Sequence, residues 1–299
     1  MRQPARPRGS RVRELLAFDL ALCIGQTAAR PRGAPSLLPS DLGRGRVPQR
    51  RTLAGFDETG RGALAGPVVV GCVQLPWELL EEPDRVAEDL GCVDDSKRLT
   101  ARAREAASAE IGRCAVWAVG CASAGEVDAV GIVEAARRAA CRAYRRLGVS
   151  CDLAVFDRGL SMGGLVPLDP GCLAQSAKQL GSSAETYGYR TPDPGPALWE
   201  PTCGGGASHR GGPPELPRAV AFTKGDMRSL HVAAASIVAK VTRDHLMERL
   251  DAAFPGFELS RHKGYGTEEH RRAISRLGPS PIHRRTFLHF AEGAQSQSC

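Results

Sequence analysis

The chain switches between two hydrophobic periods, and each switch marks a candidate element. Residues 12–23, VRELLAFDLALC, space apolar side chains at helical intervals and predict one short helix. The runs TLAGF (52–56) and PVVVGCVQL (67–75) predict strands, the second continuously apolar as in a buried sheet. DDSKRLTARAREAASAEIG (94–112) reads as a loop entering a helix, with Thr100 as N-cap. AVWAVGCAS (115–123) predicts a third strand. In GIVEAARRAACRAYRRLG (131–148), Ile132, Ala136, Ala139, Ala143 and Leu147 share one face, arginines form the outer one, and Gly148 ends the helix. DLAVFD (152–157) predicts a fourth strand ending at Asp157, and AVAFTKGD (219–226) a fifth ending at Asp226. Helices follow over 229–254 and 267–278, the second with Thr267 as N-cap and glutamates in its first turn. Strands that pair first and then alternate with helices predict an α/β core of about five strands.

Two stretches break this pattern. Residues 24–51 hold four Pro, four Gly, six Arg and one acid, Asp41, a composition that buries too little surface to fix itself. Residues 161–216 hold 11 Gly and 8 Pro in 56 positions, which predicts an aperiodic insertion within the domain. The expected organisation is an N-terminal extension over 1–51, a catalytic domain over 52–290 interrupted at 161–216, and a disordered tail over 291–299. The net charge of +7 points weakly to a polyanionic partner. The 10 cysteines are scattered with no C-x-x-C pair, so they read as reduced, mostly buried hydrophobes of a cytoplasmic protein. No run of 18 apolar residues is present, and no membrane partner is expected.

The candidate chemistry lies where strands end in acid: Asp57 with Glu58, Asp157, and Asp226. Strand ends along one edge of an α/β sheet are where such folds build sites. Asp57 and Glu58 would point to opposite faces of a continuing strand, so the glycine turn from Gly60 is expected to bend the chain and let them converge. Acids gathered without Lys or Arg partners need cations, and oxygen-only donors suit Mg²⁺ or Mn²⁺. Each acid alone reads equally as a strand-end cap or an ion pair. The following GRG, Gly60, Arg61 and Gly62, offers close backbone approach and a phosphate fork. Tyr265, within HKGYG (262–266), could stack on a sugar or base or could anchor its loop. Residues 256–290 carry seven Lys or Arg, three Glu and four of the seven His, a phosphate-contacting surface in outline.

Taken in order, GFDETGRGALAGPVV, DDSKRLT, LAVFD, KGD, AAASIVAKVTRD, HKGYGTEEH and LGPSPIHRRTF resemble the bacterial type 2 ribonuclease H family, ribonuclease HII. The resemblance covers about 52–160 and 217–288, and LLAFDLAL resembles the family's N-terminal helix. It implies a ribonuclease H-like fold, a mixed five-stranded sheet flanked by helices, with a C-terminal helical extension. It implies cleavage with Mn²⁺ or Mg²⁺, by two-metal catalysis, on the 5′ side of a ribonucleotide in RNA–DNA hybrids or duplex DNA. The products would carry 3′-hydroxyl and 5′-phosphate ends. By motif match, Asp57, Glu58, Asp157 and Asp226 would bind metal, and Gly60, Arg61 and Gly62 would read the 2′-hydroxyl and its phosphate. Tyr265 would stack on the sugar at the junction, and Ser96, Lys97 and Lys224 would contact substrate or support the site. A monomer is implied, and a sliding-clamp contact is compatible with the family, although no segment of this sequence specifies one.

The chain departs from the family pattern at Thr59, at Ala63, at Arg158 between Asp157 and Gly159, and in the length of 24–51. The interval from Asp157 to Asp226 is also far longer than the family's short connection. Arg158 and the insertion leave open an RNA–DNA hybrid binder with weak catalysis, and a third reading is a related metal nuclease that does not need a ribonucleotide.

Overall fold

A computed structural model describes residues 9–23, 51–157, 160 and 218–289. The proposed insertion at 161–216, most of segment 24–51, Arg158 and the C-terminal tail lie outside the described residues. Five strands form one sheet: β1 (Leu53–Thr59), β2 (Val68–Gln74), β3 (Val116–Ala122), β4 (Leu153–Asp157) and β5 (Arg218–Phe222). Their order is β3-β2-β1-β4-β5. β1 pairs antiparallel with β2, and β2 with β3, while β1–β4 and β4–β5 are parallel. The mixed five-stranded sheet matches the expected fold.

The helices among the described residues are α1 (Ser10–Cys23), α2 (Trp77–Leu80), α3 (Pro83–Asp89), α4 (Ala101–Cys114), α5 (Ala124–Val130), α6 (Ile132–Leu147), α7 (Leu230–Ala253), α8 (Leu259–His262) and α9 (Glu268–Leu277). Thr100 accepts a bond from the Ala103 amide, and Thr267 one from the His270 amide, as capping chemistry requires. Sequence periodicity misses α5, although Ser123 and Glu126 form a full capping box there. Its 7 residues are too few to display a period.

The sheet is buried on both faces, and the alternation along β1 sorts its side chains. Ala54 and Phe56 face the layer of α6, where Ala135, Ala139, Ala143 and Tyr144 are buried against Val68 and Val70. Leu53 and Gly55 face the other layer, where Leu53 packs on Val232 of α7. A Cβ on Gly55 would lie 2.2 Å from the His231 carbonyl carbon, so only glycine lets α7 cross β1 this closely. The Ala-rich turns of α7 press on Val69 and Val73 of β2 for the same reason. A third core, Leu64, Ala65, Met247, Phe257, Leu259 and Ile274, joins the C-terminal helices to the loop after β1.

Two expectations are corrected. β1 runs on through Asp57 and Glu58 to Thr59, with both acids in register against β2, so no bend brings them to one face. β5 ends at Phe222, and Asp226 lies beyond it in a 3-10 turn, Gly225–Met227. The cause is Lys224, which adopts a left-handed conformation (φ 58°) and turns the chain back over the end of β4.

Helix α1 is fastened to α7 by a fully buried pair. Asp19 Oδ2 lies 2.7 Å from His231 Nδ1 and accepts from the His231 amide at 3.1 Å. Asp19→Ala strips both groups of their partner and is expected to cost about 3 kcal/mol in urea unfolding, with α1 losing amide protection first. A loss of only a few tenths would mean that α1 is held by its apolar contacts alone.

Candidate active site

The adjacent parallel strands β1 and β4 end side by side. Phe56 pairs with Phe156, so Asp57 and Asp157 follow on neighbouring strands. Asp57 is 8% exposed and faces α7, where the nearby Ser236 hydroxyl favours its ionised form against the effect of burial. Ser236 Oγ in turn lies 2.6 Å from Ser96 Oγ. Ser96 therefore reaches Asp57 through Ser236, a residue that sequence reading passed over inside the run AAASIVAK. The lone serine among buried alanines was the available signal. Glu58 faces the opposite side of the sheet. Arg61 Nη1 stands 3.4 Å from its Oε1, while its Oε2 is buried with no hydrogen-bond partner. Asp157 Oδ1 accepts from the Gly225 amide at 3.0 Å, which ties the turn carrying Asp226 to the end of β4.

Burial pushes the Asp57 carboxyl well above the usual carboxylate range, and the charges of Glu58, Asp226 and Asp157 push the same way. Burial also raises Glu58, against Arg61, with Asp157 adding to the rise. Asp226, 5% exposed, is raised by burial against the pull of Lys97, with Asp157 again adding. Asp57 thus senses the other three acids, and Asp157 acts on Glu58 and Asp226 as well. They are not wholly without cations, contrary to expectation: Arg61 faces Glu58, and Lys97 Nζ lies 3.6 Å from Asp226 Oδ2. These contacts are loose, and the Lys97 side chain is 80% exposed, so water screens most of its effect. Among the described residues no three Asp, Glu, His or Cys side chains form a closed metal-ligating group. An all-oxygen donor set, three acids raised by burial and an orphaned Glu58 Oε2 nevertheless fit a hard divalent cation.

Beside these acids the GRG loop rises from β1. Gly60 has φ 83°, and a Cβ there would lie 2.1 Å from Arg243 Nε. Gly62 differs: it is exposed, and a Cβ on it would meet nothing within 4 Å. Nothing in the protein itself demands glycine at 62. Tyr265, 37% exposed, sits on the neighbouring loop with the Arg243 guanidinium 5.4 Å from its ring centroid. The two loops are stitched together, since Gly264 O accepts from Leu64 N at 2.8 Å and Ala65 N at 3.2 Å. Beneath Tyr265, His270 Nδ1 lies 2.9 Å from its carbonyl, and His270 Nε2 lies 3.1 Å from His283 Nε2. Burial lowers both imidazoles to about 4, so they are neutral near pH 7. Lys224 is exposed, and it is its backbone that shapes the Asp226 turn.

A mixed five-stranded sheet with Asp57, Asp157 and Asp226 gathered about the ends of its parallel strands, beside a glycine loop and an exposed tyrosine, is the arrangement of a ribonuclease H-type fold. The ribonuclease HII family model matches residues 54–157 and 214–290, and the chain belongs to that family. Ribonuclease HII of Chloroflexus aggregans is 39% identical over 238 residues, covering 79% of this chain and 86% of that protein. Ribonuclease HII of Thermus thermophilus is 38% identical over 241 residues, covering 80% and 88%. Among solved structures, ribonuclease H2 of Pyrococcus horikoshii superposes with a TM-score of 0.53 at 23% identity, covering 82% of this chain and 97% of that one. The ribonuclease HII chain from a PCNA:RNase HII complex of Archaeoglobus fulgidus gives 0.50 at 24%, covering 79% and 93%. These two likenesses speak for the fold. The protein is a metal-dependent endoribonuclease of the ribonuclease H type, acting on RNA–DNA hybrids. No helix among the described residues is long and apolar enough to cross a membrane.

The raised Asp57 carboxyl has a thermodynamic signature. In the unfolded chain it ionises near 3.8, whereas in the fold it keeps its proton to higher pH. Stability is therefore lost as pH rises through the folded value. Asp57→Asn escapes this loss and is expected to raise the Tm of the metal-free protein by roughly 2–4 °C at pH 8. The advantage should shrink as the pH approaches 4. A metal-free variant that melts below wild type at pH 8 would show that Asp57 is not electrostatically strained.

Proposed function

We propose that the chain nicks duplex DNA or RNA–DNA hybrid on the 5′ side of a ribonucleotide, leaving 3′-hydroxyl and 5′-phosphate ends. One observation carries the reading: three acids, Asp57, Glu58 and Asp226, are raised by burial and by neighbouring acids, beside a loop whose exposed Gly62 leaves open space. Asp57, Glu58, Asp157 and Asp226 would hold two divalent ions, Mn²⁺ or Mg²⁺. Bound there, such ions supply Lewis-acid stabilisation of the scissile phosphate and a water that is nucleophilic at neutral pH. Ser236 orients the Asp57 carboxylate, and Ser96 steadies Ser236. Lys97 and Lys224 lie exposed at the rim, where phosphates of a duplex would pass. Gly60, Arg61 and Gly62 meet the 2′-hydroxyl and its phosphate, the groups by which RNA is told from DNA. Tyr265 stacks on the sugar at the junction. The Archaeoglobus complex extends the proposal to a sliding clamp as a second partner, to which no described residue is assigned.

Three duplexes test this: one with a single embedded ribonucleotide, one RNA–DNA hybrid and one all-DNA. With Mn²⁺ or Mg²⁺ the first two should be cut and the third left intact, and EDTA should stop all cleavage. Cutting of the all-DNA duplex would make the chain a general metal nuclease, and binding without cutting would make it a hybrid binder. On the single-ribonucleotide duplex, Tyr265→Phe should lower kcat/KM by the equivalent of about 1 kcal/mol. Tyr265→Ala should lose about 1–3 kcal/mol more as stacking disappears. Wild-type activity in Tyr265→Ala would leave this tyrosine as a loop anchor only.

A further inference from the structure

Arg243 and Arg284 are the largest fully buried side chains among the described residues, and catalysis as read above uses neither. Each is 0% exposed. Among the described residues neither has a carboxylate within ion-pair distance. Their hydrogen bonds go to backbone carbonyls. Arg284 Nη1 donates to Arg61 O at 2.8 Å, and its Nε and Nη2 to Gly66 O at 3.2 and 3.0 Å. Arg243 Nε donates to Pro67 O at 3.0 Å, Nη2 to Ala65 O at 3.2 Å and Nη1 to Lys263 O at 2.9 Å. Burial lowers both guanidinium groups, Arg284 to about 10, so Arg284 stays charged at neutral pH. A buried cation with no carboxylate is costly, and an apolar side chain of that volume would pack more cheaply. What the arginines add is direction, because a guanidinium fork fixes the carbonyls it binds.

The direction has a consequence on the far side of the peptide. In a trans peptide the N–H points opposite to the C=O, and no cis bond occurs among the described residues. Arg284 holds the Arg61 carbonyl inward. The amide of the same peptide belongs to Gly62, an exposed residue, so it points away from the buried guanidinium of Arg284. Arg243 performs a complementary task. It bonds the loop after β1 through Ala65 and Pro67, bonds the other loop through Lys263, and lies beside the Tyr265 ring. Arg243 thereby fastens together two loops that the Gly264 carbonyl already joins through the Leu64 and Ala65 amides.

We propose that Arg284 and Arg243 are positioning residues for ribonucleotide recognition: Arg284 aims the Gly62 N–H at the substrate, and Arg243 clamps the GRG loop to the loop of Tyr265. This rests on the assignment of Gly60–Gly62 and Tyr265 to the ribonucleotide made above. The aimed N–H is a donor for the 2′-hydroxyl or the adjacent phosphate, and its direction is fixed before substrate arrives.

The test is a double-mutant cycle on the single-ribonucleotide duplex, with Arg284→Lys and Gly62→Ala. Lysine keeps the charge and loses the fork; alanine fits the free protein but blocks close approach of the backbone. Each single change is expected to lower kcat/KM about tenfold or more, chiefly through KM. The double variant should fall no more than about threefold below the worse single, because both act on one contact. The rise in Tm on adding Mn²⁺ should match wild type in Arg284→Lys, since the acids are untouched. Wild-type kcat/KM in Arg284→Lys, or losses that multiply in the double variant, overturns the proposal alone. Wild-type kcat/KM in Gly62→Ala overturns the assignment of the GRG loop, and the proposal with it. Should Arg284→Lys fail to fold, hydrogen exchange on the wild-type protein decides. Amides of residues 60–66 should exchange more slowly once the duplex is bound in EDTA, and unchanged exchange overturns the proposal.

Discussion

Repulsion among buried carboxylates is the constraint on which the rest of this structure depends. Asp57 and Asp157 follow paired residues on adjacent parallel strands, and Asp226 is folded back over the end of β4. Left to themselves such groups would move apart or keep their protons. Every nearby element is arranged so that they cannot move apart. The β1–β2 register holds both acids of β1 in place. The Gly225 amide grips Asp157, and Asp57 is buried against α7 beside Ser236. The frustration is thus built in by packing, and in the proposed function a divalent cation would relieve it.

Helix α7 carries much of that packing. Its residues cover β1 and β2, its N-terminus receives α1 through Asp19 and His231, and its middle presents Ser236. About two turns further along the helix, Arg243 reaches the loops that flank the acids. A single rigid helix therefore registers the carboxylates against the GRG loop and the loop of Tyr265, the loops proposed to read the ribonucleotide. That is the arrangement expected when an enzyme must place a phosphate and a 2′-hydroxyl at a fixed separation.

The elements with clear periods were legible in the sequence: β1 to β4, α4, α6, α7 and α9, together with the capping threonines. The nearness of Asp57, Asp157 and Asp226 was legible too, although only Asp157 ends its strand. Three things were not. The path of β1 past Glu58 depends on pairing with β2, against which the GRG turn argues in the sequence. The end of β5 depends on a left-handed lysine, a conformation that no side chain announces. The roles of Ser236, Arg243 and Arg284 come from partners tens to hundreds of residues away, and a buried arginine bonded to carbonyls leaves no pattern in its own neighbourhood. His270 and His283 read as surface charge in the sequence, whereas burial keeps them neutral beneath Tyr265.

The central claim is that this strained carboxylate set is a cation site. Crystals grown with Mn²⁺ and measured at the manganese absorption edge test it most directly. The account predicts anomalous peaks bonded to oxygens of Asp57, Glu58, Asp157 and Asp226, with Glu58 Oε2 acquiring the partner it lacks. Manganese bound elsewhere, with Asp57 and Glu58 uncoordinated at saturating concentration, would contradict it.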